Sequence, residues 1–526
     1  MKKLYQAVLF VLLCCLTPLV ANAQSFRVQC PTSTITHPNA ANNNSEPAYT
    51  APTNVNGAIK CQQISGGDGY STMGDGTQTY MFSFGPLSGL SKIANGQPGT
   101  DFPSEFNVPS PSALLPGAPA TMATPSSGTS VPIGFGYNGA VGLTADLDAI
   151  ADGKCVAPCL DGHVDPRPII DVGVLNGNIP APLFAIDEDD EFFLTLTNVG
   201  MIMRPDLFEQ HTVHFHGYPN ASTFYDGVPD ASVAINIGGS FTYYYLAPDA
   251  GTYFWHCHIT PPEHLQMGMV GQIYVRPRQD RVALGGDLYA SLQQQELDNR
   301  TKCDSTQDIL CSNPLPAINT AATAASTVVN GGHSGGYAYN DGDGSTYYDV
   351  EYPIQIHGFD PSFHFVGMTF NPEQFADMKD KYFLLNGRSY PDTVTTGPLA
   401  TQSADGKMHF SQPLPSIINI PAGKKALLRI SDLDVTEYQT LASLGIPMTV
   451  IGYNAKLLRD QAGNNLYYNT NSITLAGGES LDVILDATDT TRYPSGSVFY
   501  LYTPNLDHLS NDAENFGGLM TEVRIN

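Results

Sequence analysis

Six of the chain's 13 histidines fall in two short stretches, His211-Thr-Val-His214-Phe-His216-Gly217 and Trp255-His256-Cys257-His258-Ile-Thr-Pro-Pro-Glu263-His264-Leu-Gln-Met267-Gly268-Met269. This spacing restricts what the backbone can do. Successive side chains of a strand point to opposite faces. His214 and His216 therefore share a face, as do His256 and His258, while Cys257 points away from both its neighbours. Two strands of this kind present four imidazoles to one pocket and leave Cys257 facing another. A thiolate with two imidazoles and a weak axial thioether is a blue-copper ligand set. His211 and His264 supply the imidazoles. Met269 supplies the thioether, reached through a glycine that lets the loop turn back. Zinc also takes Cys and His, but a methionine at the loop end favours copper, which soft ligands select.

The surroundings suit such strands. The chain has 526 residues, with 50 Gly and 39 Pro and only 14% charged residues. Runs of Val, Ile, Thr, Tyr and Phe alternate with Gly/Pro/Asn clusters, which predicts an all-β protein of sandwiches or barrels. At roughly 100–200 residues per domain, the length allows two to four domains. The formal net charge of −26 repels nucleic acid and anionic membranes and attracts cations; solubility alone explains it equally well.

The N-terminus reads as an export signal over residues 1–23. Lys2 and Lys3 precede an apolar stretch, Leu4 to Val20, and Ala21-Asn22-Ala23 forms a small-residue cleavage site. No later segment has ~20 unbroken apolar residues, so no transmembrane segment is expected. The periplasm, the cell surface and the extracellular space all fit. Cys14 and Cys15 leave with the signal. The remaining cysteines are odd in number, and Cys30–Cys61, Cys155–Cys159 and Cys303–Cys311 is the simplest pairing by proximity among 15. Cys257, between two histidines at a strand end, is left unpaired.

Residues 24–75 are polar and weakly patterned, an irregular extension tied down by Cys30 and Cys61. A first β domain spans 76–278, with strands over Thr79–Phe84, Ile169–Leu175, Glu191–Asn198, Thr212–His216, Ser240–Leu246, Gly251–His256 and Val270–Val275. A Pro/Gly/Ser/Ala-rich insertion covers 86–168; such a loop is usually functional or disordered. Residues 279–345 form a linker with a short helix, Leu288–Arg300. It ends in Asp341-Gly342-Asp343-Gly344, a flexible turn that lacks the closing glutamate of a calcium loop. A second β domain fills 346–526.

With these motifs the sequence resembles the multicopper oxidase superfamily. HxxHxHG at 211–217 and HCH…H…GM at 256–269 are highly specific together. The resemblance covers roughly 76–278 and, more weakly, 346–526. It implies two cupredoxin-like Greek-key β-sandwich or barrel domains of laccase-like type. On the matching positions it gives His211, Cys257, His264 and Met269 to type 1 copper, His214 to type 2 copper, and His216, His256 and His258 to type 3 copper. Leu175-Asn176-Gly177-Asn178-Ile179-Pro180-Ala181-Pro182 resembles the family's early turn. Asp226-Gly227-Val228-Pro229 resembles its acidic turn near the oxygen site, where Asp226 acts beside the ligands or donates protons; an ordinary Asp-Gly turn is the alternative. Leu384-Leu385-Asn386-Gly387-Arg388, Leu428-Arg429-Ile430-Ser431 and Gly477-Gly478-Glu479-Ser480 resemble the copper-free middle cupredoxin. The second domain's histidines, His357, His364, His409 and His508, form no HxH pair.

Three departures stand out. Cys257 and His264 are seven apart where the oxidases usually have five, with Pro261 and Pro262 in the longer stretch. Copper nitrite reductases have a longer loop still. One chain offers four cluster-type histidines where the full cluster takes eight. Features of the family's first and last domains are merged in one domain. Two copies meeting symmetrically would supply the missing imidazoles, or His508 or another second-domain histidine would complete a lesser site.

The resemblance implies one-electron oxidation of a small reductant, phenolic or metal ion, coupled to dioxygen reduction to water. Cys257 relays electrons to His256 and His258, and Glu263 orients a ligand or relays protons unless it is a solvated loop carboxylate. Trp255 and Phe254 shield the copper or simply pack the core. A non-catalytic blue-copper carrier or copper-binding surface protein, or a nitrite-reductase-like enzyme, is the competing reading.

Overall fold

The computed structural model describes residues 26, 28–37, 58–107, 122–123, 131–132, 177–201, 203–217, 222–247, 249–282, 286–295, 335–367, 375–402, 408–460 and 462–526. The export signal, Ile169–Leu175, most of the 86–168 insertion and the pairings Cys155–Cys159 and Cys303–Cys311 lie outside these residues.

The first domain is two four-stranded sheets face to face. One runs in the order Gln78–Pro86, Ile59–Thr72, Glu191–Gly200, Ser240–Leu246; the other runs Phe184–Asp187, Val270–Arg276, Gly251–His256, His214–His216. Their inner faces interdigitate. Phe82, Leu194, Leu196, Phe241 and Tyr243 meet Phe184, Phe215, Trp255 and Ile273 in one buried cluster. Trp255 stacks on Phe184 at 4.5 Å. Each such side chain contributes about 1.5–3 kcal/mol on burial, enough together to hold the sheets in register.

The second domain is also a sandwich, with a seven-stranded sheet against a five-stranded one. Ile354, Ile356, Leu428, Ile430 and Val483 from the first meet Leu441, Leu501 and Val523 from the second. The expectation of an all-β protein is met. Among the described residues no helix is long and apolar enough to cross a membrane.

Three expectations need correction. The stretch 24–75 is not simply irregular. Ile59–Thr72 is a long strand at the centre of the first sheet, parallel to Glu191–Gly200 and antiparallel to Gln78–Pro86. Its Gly-Gly-Asp-Gly run looks like a turn in sequence. In the structure these glycines mark close approach: a Cβ on Gly69 would fall 2.8 Å from Gly177 O. The Cys30–Cys61 disulfide does form at the head of this strand. Second, the strand expected at Thr212–His216 is only His214–His216. The amides of Thr212 and Val213 are diverted to Cys257 Sγ and the Tyr243 hydroxyl. Third, the Asp341–Gly344 turn is fixed rather than flexible. The buried Asp341 carboxylate accepts from the amides of Asp343, Gly344 and Thr346 and from Gln279 Nε2.

The domains join through a buried ionic seam. Arg429, fully buried, donates through Nε to Glu351 at 2.9 Å, and Arg276 donates to the other Glu351 oxygen at 2.9 Å. Thr252 donates to Asp482 at 2.6 Å, and Gln272 donates to Arg429 O and Ser431 Oγ. Burial pushes the Glu351 carboxyl up, but Arg276 and Arg429 outweigh it and hold it down from 4.5 to about 2. A depressed carboxylate adds stability above its unfolded pKa and loses it as pH falls through the folded one. Glu351→Gln is expected to cost about 3 kcal/mol at neutral pH, because buried Arg429 loses its nearer counter-charge and keeps only Asp482 at 3.8 Å. It should also flatten the loss of stability between about pH 4.5 and 2; denaturant unfolding across that range checks both effects.

Candidate metal centre

The Gly251–His256 strand pairs antiparallel with His214–His216, setting His214 opposite His256, Phe215 opposite Trp255 and His216 opposite Phe254. The pleat then divides the donors. Trp255 and Cys257 turn into the core between the sheets, and His256 and Phe254 turn the other way.

On the core side, the short helix Pro261–Gln266 returns His264 to the strand end, with Nδ1 3.2 Å from Cys257 Sγ. The lengthened Cys257-to-His264 stretch is thus taken up by a helical turn that starts at Pro261. The donor atoms of His211, Cys257 and His264 lie within 4.8 Å of one another, and all three residues are buried. Neither ring nitrogen of His211 has a hydrogen-bond partner. An orphaned buried polar atom costs about 1–3 kcal/mol, a cost that a bound metal would remove. Met269 is buried in the same cluster. Its amide donates to His264 O at 2.9 Å and its carbonyl accepts from the Cys257 amide at 3.2 Å. Gly268, at φ +111°, makes the turn back that a side chain would resist.

Two groups here were not found by sequence reasoning. Gly66, on the central strand, leaves room for His211: a Cβ there would fall 2.5 Å from the ring's Cδ2. Glu209 lies with a carboxylate oxygen 3.4 Å from His264 Nε2 and is a quarter exposed. Its only sequence signal is an acid two positions before His211. Burial pushes the Cys257 thiol up, but His264 and His211 outweigh this and hold it well below the usual thiol range. Burial likewise pushes His264 down, while the Cys257 sulfur and Glu209 raise it to about 10. The two shifts are opposite in sign, so each group favours the charged form of the other.

On the other side, His214, His216 and His256 have donor atoms within 4.8 Å of one another. The His258 ring lies 5.1 Å from that of His214 and 5.7 Å from that of His256, centroid to centroid. The second-ring contacts fix which nitrogen is free. His214 Nδ1 donates to Asp226 O at 2.7 Å and His256 Nδ1 donates to Cys257 O at 2.8 Å, leaving both Nε2 atoms to bind a metal. Burial, followed by its histidine neighbours, pushes His256 down to about 3, and it lowers His214 and His216 too. Ligation needs this neutral form. His216 is exposed and stacks on Phe254 at 4.3 Å.

Asp226 reaches the site through its carbonyl, and its carboxylate Oδ1 is 3.6 Å from His214 Nδ1. The following Gly227 has φ +79°, and a Cβ there would fall 2.0 Å from Val213 O, so the turn presses on the strand that carries His214. Glu263 sits half-buried in the helix beside His264. The suggestion that His508 completes a site is not met: its nitrogens contact Gln439 Oε1 at 2.9 Å and Glu437 Oε2 at 3.1 Å, within the second domain. His357 and His364 face main-chain carbonyls. The side chain of His409 lies outside the described residues.

Residues 163–280 match the family model described as multicopper oxidase. The chain is 34% identical over 109 residues to laccase abr2 of Aspergillus fumigatus, covering 20% of this chain and 17% of that protein. It is 32% identical over 131 residues to the multicopper oxidase MmcO of Mycobacterium tuberculosis, covering 23% and 24%. The match thus spans about a fifth of these relatives' length. A blue copper oxidase from Nitrosomonas europaea aligns over 66% of this chain and 78% of its own at 20% identity, with a TM-score of 0.43. The Gly66 contact can be checked directly: Gly66→Ala should push the His211 ring away and weaken metal binding at Cys257 by about 10-fold or more. Copper titration, with circular dichroism confirming the fold, measures it.

Proposed function

We propose that this chain, whose residues 163–280 carry the multicopper oxidase pattern, is an exported copper-dependent oxidoreductase. It takes single electrons from a small reductant, phenolic or metal ion, and passes them to dioxygen, forming water. One observation carries the reading. Two donor sets, His211/Cys257/His264 and His214/His216/His256, each lie within 4.8 Å internally, and the consecutive residues His256 and Cys257 join them.

Copper bound in these sets supplies one-electron chemistry at the sulfur site and dioxygen reduction at the histidine site. The chain's own groups do the rest. The Cys257 backbone gives a short covalent path to the imidazoles of His256 and His258. Trp255, Phe82 and Phe84 keep water from the sulfur. His264 turns its Nε2 toward Glu209, which is partly exposed, so the reductant approaches there; an acidic edge on a chain of net charge −26 favours a cation. Met269, buried in the same cluster, would add a thioether to the groups that hold the copper. Asp226 holds the His214 tautomer and supplies protons, and Glu263 orients the His264 helix or relays protons.

Four imidazoles per chain fall short of the eight that a full cluster takes. The exposed His216 and the partly exposed His214 favour a symmetric homo-oligomer that brings two such faces together. Export rests on the leader and on the Cys30–Cys61 disulfide, a bond of oxidising compartments.

The test is copper content, visible and spin-resonance spectra, oxygen uptake and sedimentation of the copper-loaded protein. A blue band with a second paramagnetic copper, oxygen consumption and a symmetric oligomer are expected. Cys257→Ser should abolish the blue band and leave copper at the histidines. One blue copper per monomer without oxygen uptake would make the protein an electron carrier; turnover of nitrite in place of oxygen would make it a nitrite reductase.

A further inference from the structure

The helix that carries His264 is gripped by the second domain through one buried side chain. Gln266 donates from Nε2 to Asp380 Oδ1 at 3.0 Å and accepts through Oε1 from the Asp360 amide at 2.9 Å. Gln266, Asp360 and Asp380 are all buried. His364 makes a second tie from the same segment. Burial favours the neutral ring, which has one N–H: Nδ1, 2.5 Å from Tyr80 O, is placed to donate it, and Nε2 lies 3.0 Å from Gln266 O. Tyr80 belongs to the strand whose Phe82 ring packs edge-on against His264 at 5.1 Å. The two walls of the His264 pocket, its own helix and the strand behind it, are therefore both fastened to residues 360–380. Asp380 is itself anchored, since Thr436 donates to it and to Asp434.

We propose that Gln266 is a positioning residue: held between Asp360 and Asp380, it lets a domain without copper ligands of its own fix the approach of the His264 ring to Cys257. The idea rests on the functional reading above. A helix of six residues lacks the length to hold itself in place. Its orientation is left to whatever its buried side chains meet: Leu265 packs in a cluster with Phe359, Tyr382 and Leu433, and Gln266 adds directional hydrogen bonds across the domain seam.

Gln266→Met keeps the length of the side chain and removes both of its hydrogen bonds. Copper at Cys257 should then bind about 10–100-fold more weakly, with its visible band and its copper hyperfine splitting changed. Gln272→Met is the comparison. Gln272 is also buried and bridges to the second domain, through Arg429 O and Ser431 Oγ, but from a strand. It should lower the melting temperature and leave affinity and spectrum alone. Should Gln266→Met fail to fold, Asp380→Leu removes the acceptor that Gln266 Nε2 binds and gives the same readout with residue 266 intact. The proposal is overturned if the Gln266 and Asp380 variants match wild type, or if Gln272→Met alters affinity and spectrum as much. A wild-type protein that gives no blue band with copper sinks the functional reading itself; a wild-type band with unresponsive variants sinks only the clamp.

Discussion

All of the donors depend on the pleat at the end of the Gly251–His256 strand. Alternation there sends Cys257 into the core and its neighbours outward, so two pockets of different character share a single run of backbone. The pleat is held by its neighbours rather than by itself. His214–His216 pairs alongside and aligns imidazole with imidazole, and Trp255, between the sheets, stacks on Phe184 and lies 4.8 Å from Phe84. Moving the register by one residue would bury the imidazoles and expose the sulfur. The hydrophobic core therefore sets the chemistry as well as the stability.

The second domain gives the centre no donor within the described residues, yet the centre leans on it. Arg429, Glu351 and Asp482 bind the back of the Val270–Arg276 and Gly251–His256 strands, and Asp360, Asp380 and His364 hold Gln266 at its side. The strands leading away from the sulfur and the helix returning to it thus meet the same partner. A sandwich of this size buries its own core without help, which leaves its seam free to act as a rigid wall.

What was legible in sequence was local. Residues spaced at two along a strand declare their face, so the sulfur side and the imidazole side could be read from 211–217 and 255–269 alone, as could the all-β class from turn residues and β-branched runs. What was missed acts across long separations. Gly66 matters because His211 presses on it, and Glu209 because His264 comes back over it; neither neighbour is visible from flanking residues. Ile59–Thr72 read as loop because its glycines, set for close approach, look the same as glycines set for turning. The same limit hid Gln266, whose partners lie more than ninety positions away, and it made His508 look available when Gln439 and Glu437 already occupy it.

The parallel pairing of Ile59–Thr72 with Glu191–Gly200 also bears on how the chain comes to be folded. Ile59 meets Glu191, so the middle strand of the first sheet has one neighbour early and the other only after the whole intervening insertion has been synthesised. Closing so long a loop is entropically costly, and topologies rich in such pairings fold slowly. Every candidate metal donor, from His211 to Met269, lies beyond that point. A chain emerging N-terminus first thus carries an open sheet edge until Glu191–Gly200 has been made, before any of these donors exists.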